Sequence, residues 1–182
     1  MNGAKRYGMA VDTRRCVGCN ACVIACKTEN ALPSGGFRDW IVQEVRGTFP
    51  DLSMQIRSER CNQCSETPCV DACPTGASHV GEGGVVLVAR SRCTGCKACI
   101  ASCPYGARYV HPEEGHVDKC TFCLHRVKRG EDPACVTTCP TRALTFGDLA
   151  DPSSAVSRLR ASRLFEVLRP EAGTCPNVFF LS

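Results

Sequence analysis

The chain has 182 residues, a formal net charge of +4 at pH 7 and 17 cysteines, and only 6% of its residues are aromatic. That length suits one compact domain or two small domains that share an interface, and so few aromatic residues imply a thin apolar core, which small proteins commonly reinforce with disulfides or metal groups. No apolar run approaches the roughly 18 residues that cross a bilayer, and the first residues, MNGAKRYGMAVDTRRC, lack the apolar stretch of a secretory signal, so the sequence predicts neither a membrane span nor a signal peptide.

The first cysteine group has the spacing C-x2-C-x2-C-x3-C and consists of Cys16, Cys19, Cys22 and Cys26. Cysteines at positions i and i+4 lie on one face of a helical turn, about 6 Å apart along its axis. Cys22 and Cys26 can therefore each reach a different metal group. Because Lys27 rather than proline follows the group, we predict that its helix continues through Asn30.

Two predicted hairpins flank the second cysteine group. Residues 40–46 and 53–57 partly alternate between apolar and polar side chains, which predicts an antiparallel pair joined through residues 47–51. Residues 80–85 predict a hairpin turn, with residues 85–88 as its returning strand. The second group has the spacing C-x2-C-x4-C-x3-C-P and consists of Cys61, Cys64, Cys69 and Cys73.

The third cysteine group repeats the spacing of the first, and the fourth lengthens one gap to eleven residues. Both end in cysteine followed by proline; the third is Cys93, Cys96, Cys99 and Cys103, and the fourth is Cys120, Cys123, Cys135 and Cys139. A longer gap keeps all four ligands, so we expect residues 124–134 to form a surface excursion. A basic run overlaps this excursion, and we interpret it either as solvated charge or as a patch that faces a partner: Lys119, His125, Arg126, Lys128 and Arg129.

The C-terminal part predicts a helix and a last strand. A helix is expected to open at Asp151-Pro152 and to run to about Ser162. Its apolar positions, Val156 and Leu159, with Leu164 just beyond, are expected to pack on the domain. Residues 177–181 predict a final strand or an anchor on a partner, and Cys175, which belongs to no group, is expected to be a free thiol.

The cysteine spacing is typical of [4Fe-4S] clusters. C-x2-C-x2-C-x3-C-P is the bacterial ferredoxin run, in which three thiolates bind one cluster and the fourth binds the neighbouring cluster. Sixteen cysteines in four groups therefore predict four [4Fe-4S] clusters as cofactors. The clustered spacing and the lack of a signal disfavour disulfides, and the runs of three cysteines disfavour structural zinc, whose ligands come as two pairs.

The histidines do not indicate a Rieske centre, because they show no paired pattern. We expect them at the surface or in hydrogen bonds: His79, His111, His116 and His125. His125 lies close enough to Cys123 in the sequence to influence the potential of a cluster.

The positive charge does not indicate a nucleic-acid partner. Each oxidised cluster with its four thiolates carries about −2, so four clusters add roughly −8 and make the loaded protein mildly acidic. The chain also has no basic stripe interleaved with aromatic residues. We therefore expect no nucleic acid among its partners.

Nearly the whole chain resembles a known family. The four motifs read CVGCNACVIACKTEN, CNQCSETPCVDACPTGAS, CTGCKACIASCPYGARYV and KCTFCLHRVKRGEDPACVTTCPTRALTFGDL. They are similar to the four-cluster iron-sulfur subunits of complex molybdoenzymes, which include polysulfide, thiosulfate, tetrathionate and dimethyl sulfoxide reductases. The tail, GDLADP…VLRPEAGTCPNVFFL, is most similar to the polysulfide reductase type. The resemblance does not explain Cys175.

The resemblance implies an α+β fold of two pseudo-symmetric bacterial ferredoxin-like lobes, with short strands and short helices. Residues 1–30 and 104–147 would form lobe 1 from motifs I and IV, residues 31–103 would form lobe 2 from motifs II and III with inserted hairpins, and residues 148–182 would form a C-terminal helix and tail. Four ligand sets are implied. They are Cys16, Cys19, Cys22 and Cys139 for cluster a; Cys120, Cys123, Cys135 and Cys26 for cluster b; Cys61, Cys64, Cys69 and Cys103 for cluster c; and Cys93, Cys96, Cys99 and Cys73 for cluster d.

The resemblance also implies a function without substrate catalysis. Such a subunit conducts electrons between an integral-membrane, quinone-binding subunit and a molybdopterin catalytic subunit, and its loops help to form the contacts with them. We expect a peripheral membrane complex on the periplasmic face, exported with a signal-bearing partner. The alternative is a multi-cluster ferredoxin subunit of a formate dehydrogenase or hydrogenase, which would be cytoplasmic.

Overall fold

A computed structural model describes residues 5–182 of the chain. The first four residues, on which the signal-peptide prediction and the start of lobe 1 partly depend, lie outside the described residues. The described part has ten short strands: β1 Tyr7–Asp12, β2 Asp39–Thr48, β3 Asp51–Arg60, β4 Ser78–Val80, β5 Val86–Val88, β6 Tyr109–Val110, β7 Val117–Asp118, β8 Leu144–Asp148, β9 Phe165–Glu166 and β10 Val178–Leu181.

Six α-helices and three 3₁₀ turns are interspersed among these strands in residues 5–182. The helices are α1 Ala21–Glu29, α2 Pro68–Asp71, α3 Ala98–Ala101, α4 Leu124–Val127, α5 Ala134–Thr138 and α6 Ala155–Ser162; the 3₁₀ turns span Glu82–Gly84, Arg90–Arg92 and Pro170–Ala172. The predicted mixture of short helices and short strands is confirmed. In the same residues, no helix has the length and apolar character that a bilayer crossing requires.

The largest sheet joins the two ends of the chain. Its strand order is β8-β1-β10-β9, with β1 parallel to β10 and antiparallel to β8. Every residue of β1 and β10 is buried, so this sheet lies in the core. The prediction of a strand at residues 177–181 is confirmed, whereas β1 was not predicted.

Both predicted hairpins are present. β2 and β3 form a ten-residue antiparallel ladder from Asp39–Arg60 to Thr48–Asp51, longer at both ends than the alternation indicated. β4 pairs with β5 across the turn at Glu82–Gly84. Gly83 makes this turn possible, because its φ is +65° and a Cβ there would clash with the Tyr7 ring.

The apolar core includes the predicted ligands. Met9 and Val11 of β1 and Val178 of β10 are at most 1% exposed, and they pack in one cluster with Phe122 and the cysteines Cys22, Cys61, Cys120 and Cys135. Burying an apolar side chain of this size contributes about 1.5–3 kcal/mol. The core is therefore built around the cysteine groups rather than beside them.

Helix α6 begins later than predicted. Its N-cap is Ser154, whose Oγ accepts a hydrogen bond from the Ser157 amide at 3.2 Å, so the helix opens at Ala155. Asp151 instead caps the preceding turn, where its carboxylate accepts from the Ser153 amide. Val156 is fully buried, as predicted, but Leu164 is 82% exposed, so its predicted packing is wrong. The backbone is extended at Arg163, which ends the helix and turns Leu164 outward.

We predict that Ser154→Ala loosens α6 without affecting the rest of the fold. Losing an N-cap side chain costs about 1 kcal/mol, which corresponds to roughly fivefold faster local opening. Amide hydrogen exchange of the first turn of α6 measures this change. Ser162→Ala, at the opposite end of the same helix, is the matched control, and equal protection in the two variants would contradict the assigned cap.

Candidate metal centres

Two cavities are each lined by four cysteines from distant parts of the chain. Cys16, Cys19 and Cys22 line the first together with Cys139, and the hairpin residues Ile41 and Ser58 close it. The second is lined by Cys73, Cys93, Cys96 and Cys99. In both cavities, three cysteines of one sequence group therefore face the fourth cysteine of another group.

The remaining eight group cysteines form two further sets. Burial and repulsion from Cys120, Asp39, Cys135 and Cys123 raise the pKa of Cys26, so this thiol lies beside the first three cysteines of the fourth group. Burial raises the pKa of the Cys64 thiol to about 11, and its cysteine neighbours are Cys61, Cys69 and Cys103. All sixteen group cysteines thus fall into four sets of four.

Helix packing brings the groups together in pairs. α1, which carries Cys22 and Cys26, packs against α5, which carries Cys135. α2 packs in the same way against α3, so motif I adjoins motif IV and motif II adjoins motif III. The predicted continuation of the first helix is confirmed, because α1 extends to Glu29 and Asn30 is its C-cap.

The C-x2-C loops have a recurring left-handed backbone. In motif I, Gly18 has a φ of +68° and Asn20 a φ of +61°; in motif III, Gly95 has +68° and Lys97 has +66°. Glycine adopts this region without the steric penalty that other residues incur. These residues turn each loop sharply enough for its three sulfurs to surround one cavity.

Backbone amides donate hydrogen bonds to the sulfurs. The amides of Phe122, Ala143, Ser78 and Val117 donate to the sulfurs of Cys120, Cys139, Cys73 and Cys93, respectively, at 3.3–3.4 Å. Hydrogen bonds of this kind favour the thiolate over the thiol. At Cys73 the bond from Ser78 lowers the pKa to about 7. Loops that present thiols with donated amides fit the ligand requirements of iron-sulfur clusters.

The histidines and the basic run differ in part from the predictions. His125 Nε2 lies 2.7 Å from Glu29 Oε1, at the C-terminal end of α1. His111 and His116 are buried and stacked, with ring centroids 5.1 Å apart. They meet the hydrogen-bond alternative of the prediction, because His111 Nδ1 accepts from the Glu114 amide at 3.2 Å and His116 Nδ1 lies 3.2 Å from the Glu114 carboxylate. Lys119 is 1% exposed, so its prediction as a surface cation is wrong. Its Nζ donates instead to the carbonyls of Val86 and Cys120, contacts that its sequence position does not indicate.

The eleven-residue gap of motif IV is only partly a surface excursion. α4 occupies its start, and Leu124, Pro133 and Ala134 are buried at its two ends. Arg126 pairs with Glu29 at 2.9 Å and so fixes the segment to α1. Lys128 and Arg129 remain exposed at its tip.

Cys175 belongs to none of the four sets. It is exposed, and within residues 5–182 the only hydrogen-bond partner of its sulfur is the Gly173 carbonyl, 3.9 Å away. Its own carbonyl accepts from the Ser65 amide, so its backbone helps to hold the tail against motif II. The expectation that Cys175 is a free thiol stays a prediction.

Four thiol sets in ferredoxin-spaced loops define a ferredoxin-type iron-sulfur protein. Comparison with known families agrees: models of a 4Fe-4S dicluster domain match residues 52–149 and residues 15–77. The prediction of four [4Fe-4S] clusters is confirmed by these two matches. The cluster-binding residues therefore extend over most of the chain.

Similar proteins include components of three reductases. One component of the polysulfide reductase of Wolinella succinogenes is 48% identical over 98% of this chain and 95% of its own length. One component of the tetrathionate reductase of Salmonella typhimurium is 41% identical over 97% of this chain and 72% of its own length. The arsenate respiratory reductase iron-sulfur subunit of a Shewanella species is 37% identical over 97% of this chain and 96% of its own length. This protein belongs to the same family of 4Fe-4S reductase subunits.

We predict that acid releases the clusters. Burial raises the pKa of Cys22, Cys64 and Cys120 to about 11 each, so without iron these groups are protonated at neutral pH. Binding a cluster must displace those protons, and lowering the pH therefore weakens binding. Each displaced proton contributes up to tenfold per pH unit.

Protein-bound iron and sulfide, measured between about pH 8 and about pH 5, test this expectation. Iron loss should increase steadily as the pH falls. Cys175→Ser, which removes an exposed thiol outside the four sets, should leave the profile unchanged. Iron content that does not depend on pH would contradict the prediction.

Proposed function

We propose that this chain conducts electrons between a quinone-binding membrane subunit and a molybdopterin catalytic subunit of a respiratory reductase of the polysulfide or thiosulfate type. The observation that carries this proposal is the arrangement of sixteen cysteines as four adjoining sets, a number and order suited to a series of redox centres rather than to a single active site. The reductase relatives support the same role. In this proposal the catalytic step belongs to a partner subunit.

The proposed ligand sets follow the four thiol sets. Clusters a, b, c and d would be held by Cys16, Cys19, Cys22 and Cys139; by Cys120, Cys123, Cys135 and Cys26; by Cys61, Cys64, Cys69 and Cys103; and by Cys93, Cys96, Cys99 and Cys73. Each set then takes three thiolates from one motif and one from another. The matching left-handed loops of motifs I and III support the proposed pseudo-symmetry of the two lobes.

The adjacency of the sets supports the electron path a–b–c–d. Sets a and b share α1, through Cys22 and Cys26. Sets b and c adjoin each other because Cys61 lies near enough to Cys120 to influence its ionisation. Sets c and d are linked across α2, between Cys69 and Cys73. One centre at each end of this path would then face one partner.

Exposed apolar residues support contacts with partner subunits. The β2–β3 hairpin exposes Val45, Phe49, Leu52 and Met54 by 55–89%. Exposed apolar residues that cluster on one surface commonly mark interaction sites.

Localisation on the periplasmic face of the membrane stays a prediction, which fractionation of the assembled complex would test.

Our next prediction concerns the exchange of ligands between motifs. Cys26→Ser should damage the same cluster as Cys120→Ser, and it should leave intact the cluster that Cys16→Ser damages. Serine is a harder and much more basic ligand than thiolate, so we expect a lost or three-iron cluster. Low-temperature paramagnetic spectra during a redox titration identify the affected centre. If Cys26→Ser and Cys16→Ser perturb one and the same signal, each motif binds its own cluster and the proposed sets are wrong.

A further prediction concerns partner docking by the tip of the motif IV excursion. Its side chains Lys128 and Arg129 are each 57% exposed, so Lys128→Glu combined with Arg129→Glu should leave iron content unchanged. The reversed charges should reduce recovery of the partner subunits during co-purification. Arg158→Glu, on the exposed surface of α6, is the control. Full recovery with the double variant would assign the tip no docking role.

A further inference from the structure

Two arginines are buried beside the thiol sets, one next to sets a and b and the other next to sets c and d. Arg60 is 1% exposed and Arg108 is 5% exposed. Arg60 ends β3 directly before Cys61, and Arg108 follows motif III. An unpaired charge is costly to bury, so each guanidinium must be held by strong local interactions.

Arg60 lies between sets a and b. Its Nη1 donates to the sulfur of Cys135 at 3.5 Å, and its Nη2 donates to Ser58 Oγ. Ser58 Oγ lies 3.4 Å from the sulfur of Cys22. The side chain thus reaches one thiol of set b directly and one thiol of set a through a hydroxyl.

Arg108 has the corresponding place between sets c and d. Its Nη2 donates to the sulfur of Cys69 at 2.7 Å and to Ser78 Oγ at 3.0 Å. Burial acts to lower the pKa of Arg108, but attraction to Cys69, Cys61 and Cys99 outweighs it and raises the pKa. Like Arg60, Arg108 combines a cysteine sulfur with a serine hydroxyl.

The two arginines differ in their counter-charge. Arg60 Nη2 lies 3.1 Å from the carboxylate of Asp39, and both side chains are at most 3% exposed. Within residues 5–182, Arg108 makes no ion pair with a carboxylate. In the described part of the chain, the Nζ of Lys119, a residue that together with Arg108 acts on Cys69, donates only to carbonyls, while its backbone amide donates to Asp118 Oδ1 at 2.8 Å. Set c therefore faces two buried basic side chains that form no ion pair with a carboxylate among residues 5–182.

An uncompensated cation favours the reduced form of a nearby cluster. Reduction adds one electron, and hence one negative charge, while the guanidinium keeps its proton because arginine does not deprotonate in proteins. The attraction is strong in a buried site of low effective dielectric constant. Local charge and hydrogen bonds to sulfur are among the factors that set cluster potentials. A carboxylate 3.1 Å from the guanidinium, as at Arg60, opposes this effect.

We propose that Arg108 is a positioning residue that raises the midpoint potential of the cluster held by Cys61, Cys64, Cys69 and Cys103, and that Asp39 suppresses the same effect of Arg60 in the other half. This inference rests on the proposed ligand sets and adds to the proposed electron path the cluster at which an electron is most stable. The cysteine spacing is similar in the two pairs of sets, a with b and c with d. Their cluster potentials differ because the Asp39 carboxylate lies beside Arg60 and, within residues 5–182, only the first pair has such a partner. The cluster of set c becomes a preferred resting place for the electron.

Potentiometric titration of the complete four-cluster protein, followed by paramagnetic resonance, tests the proposal. Arg108→Gln should lower the midpoint potential of the set c cluster most, with a smaller shift at the adjoining set d cluster through Cys99, while iron and sulfide stay at roughly sixteen each per chain. Arg108→Lys, which keeps the charge but loses the planar fork, should restore most of the potential. Arg92→Gln is the matched control, since Arg92 is an exposed arginine next to Cys93, and it should shift no cluster.

Asp39→Asn tests the second half of the proposal. Removing this carboxylate leaves Arg60 uncompensated, so the potential of a cluster other than those affected by Arg108→Gln should rise. If Arg108→Gln fails to retain four clusters, the Asp39→Asn result decides: a rise supports the proposal, and unchanged potentials overturn it. The proposal is also overturned if Arg108→Gln retains all four clusters at unchanged potentials, or if Arg92→Gln shifts a potential equally.

The same preparations distinguish this inference from the proposed function. If the variants shift the potentials as expected but the wild-type complex passes no electrons between its subunits, the proposed function is refuted and the role of Arg108 stands. Unchanged potentials in a complex that passes electrons normally would refute only the role of Arg108.

Discussion

The structure depends on bringing thiols from distant parts of the chain around the same cavity. Cys16 and Cys139 come from the first and last cysteine groups, yet they line one cavity. The central sheet makes this possible, because β1 leads into motif I, β8 follows motif IV, and the two strands are paired. The parallel pairing of β10 with β1 then closes the chain ends over the same core. A site of this kind does not exist in the unfolded chain, so cluster binding stabilises the closed fold.

The thin apolar core explains why the cysteines are so deeply buried. With few aromatic residues to fill the interior, Cys22, Cys61, Cys120 and Cys135 occupy core positions among Met9, Val11 and Phe122. Burial then raises the pKa of thiols such as Cys22 and Cys120 to about 11. The core thus holds groups that are uncharged without iron and charged with it, so the loaded protein needs buried cations and amide donors nearby. Arg60, Arg108 and Lys119 supply that charge inside the core.

The distribution of carboxylates distinguishes the two halves of the protein. Beside sets a and b, Arg60 is paired with Asp39 and Arg38 with Asp118, and all four side chains are at most 9% exposed. Arg38 also donates to Asn30 at 2.8 Å, whose amide lies near the sulfurs of Cys26 and Cys123. Buried ion pairs contribute little net stability, but they hold polar groups at fixed positions. Here the two ion pairs hold the guanidinium groups of Arg60 and Arg38 in fixed orientations near the thiols.

The sequence by itself determined what is local. The cysteine spacing determined the four-cluster content, the C-x3-C spacing without a following proline determined the extent of α1, and alternation determined the hairpin of β2 and β3. Each of these is a property of a few consecutive residues. The tertiary structure decided the rest. It pairs β1 in parallel with β10, buries Lys119 rather than placing it in a surface basic patch, and exposes Leu164 beyond its helix. It also gives Arg60 a carboxylate partner that Arg108 does not have among residues 5–182. The physical reason is that these features depend on contacts between segments far apart in the chain, and neither spacing nor periodicity records which distant side chain will lie within hydrogen-bonding distance.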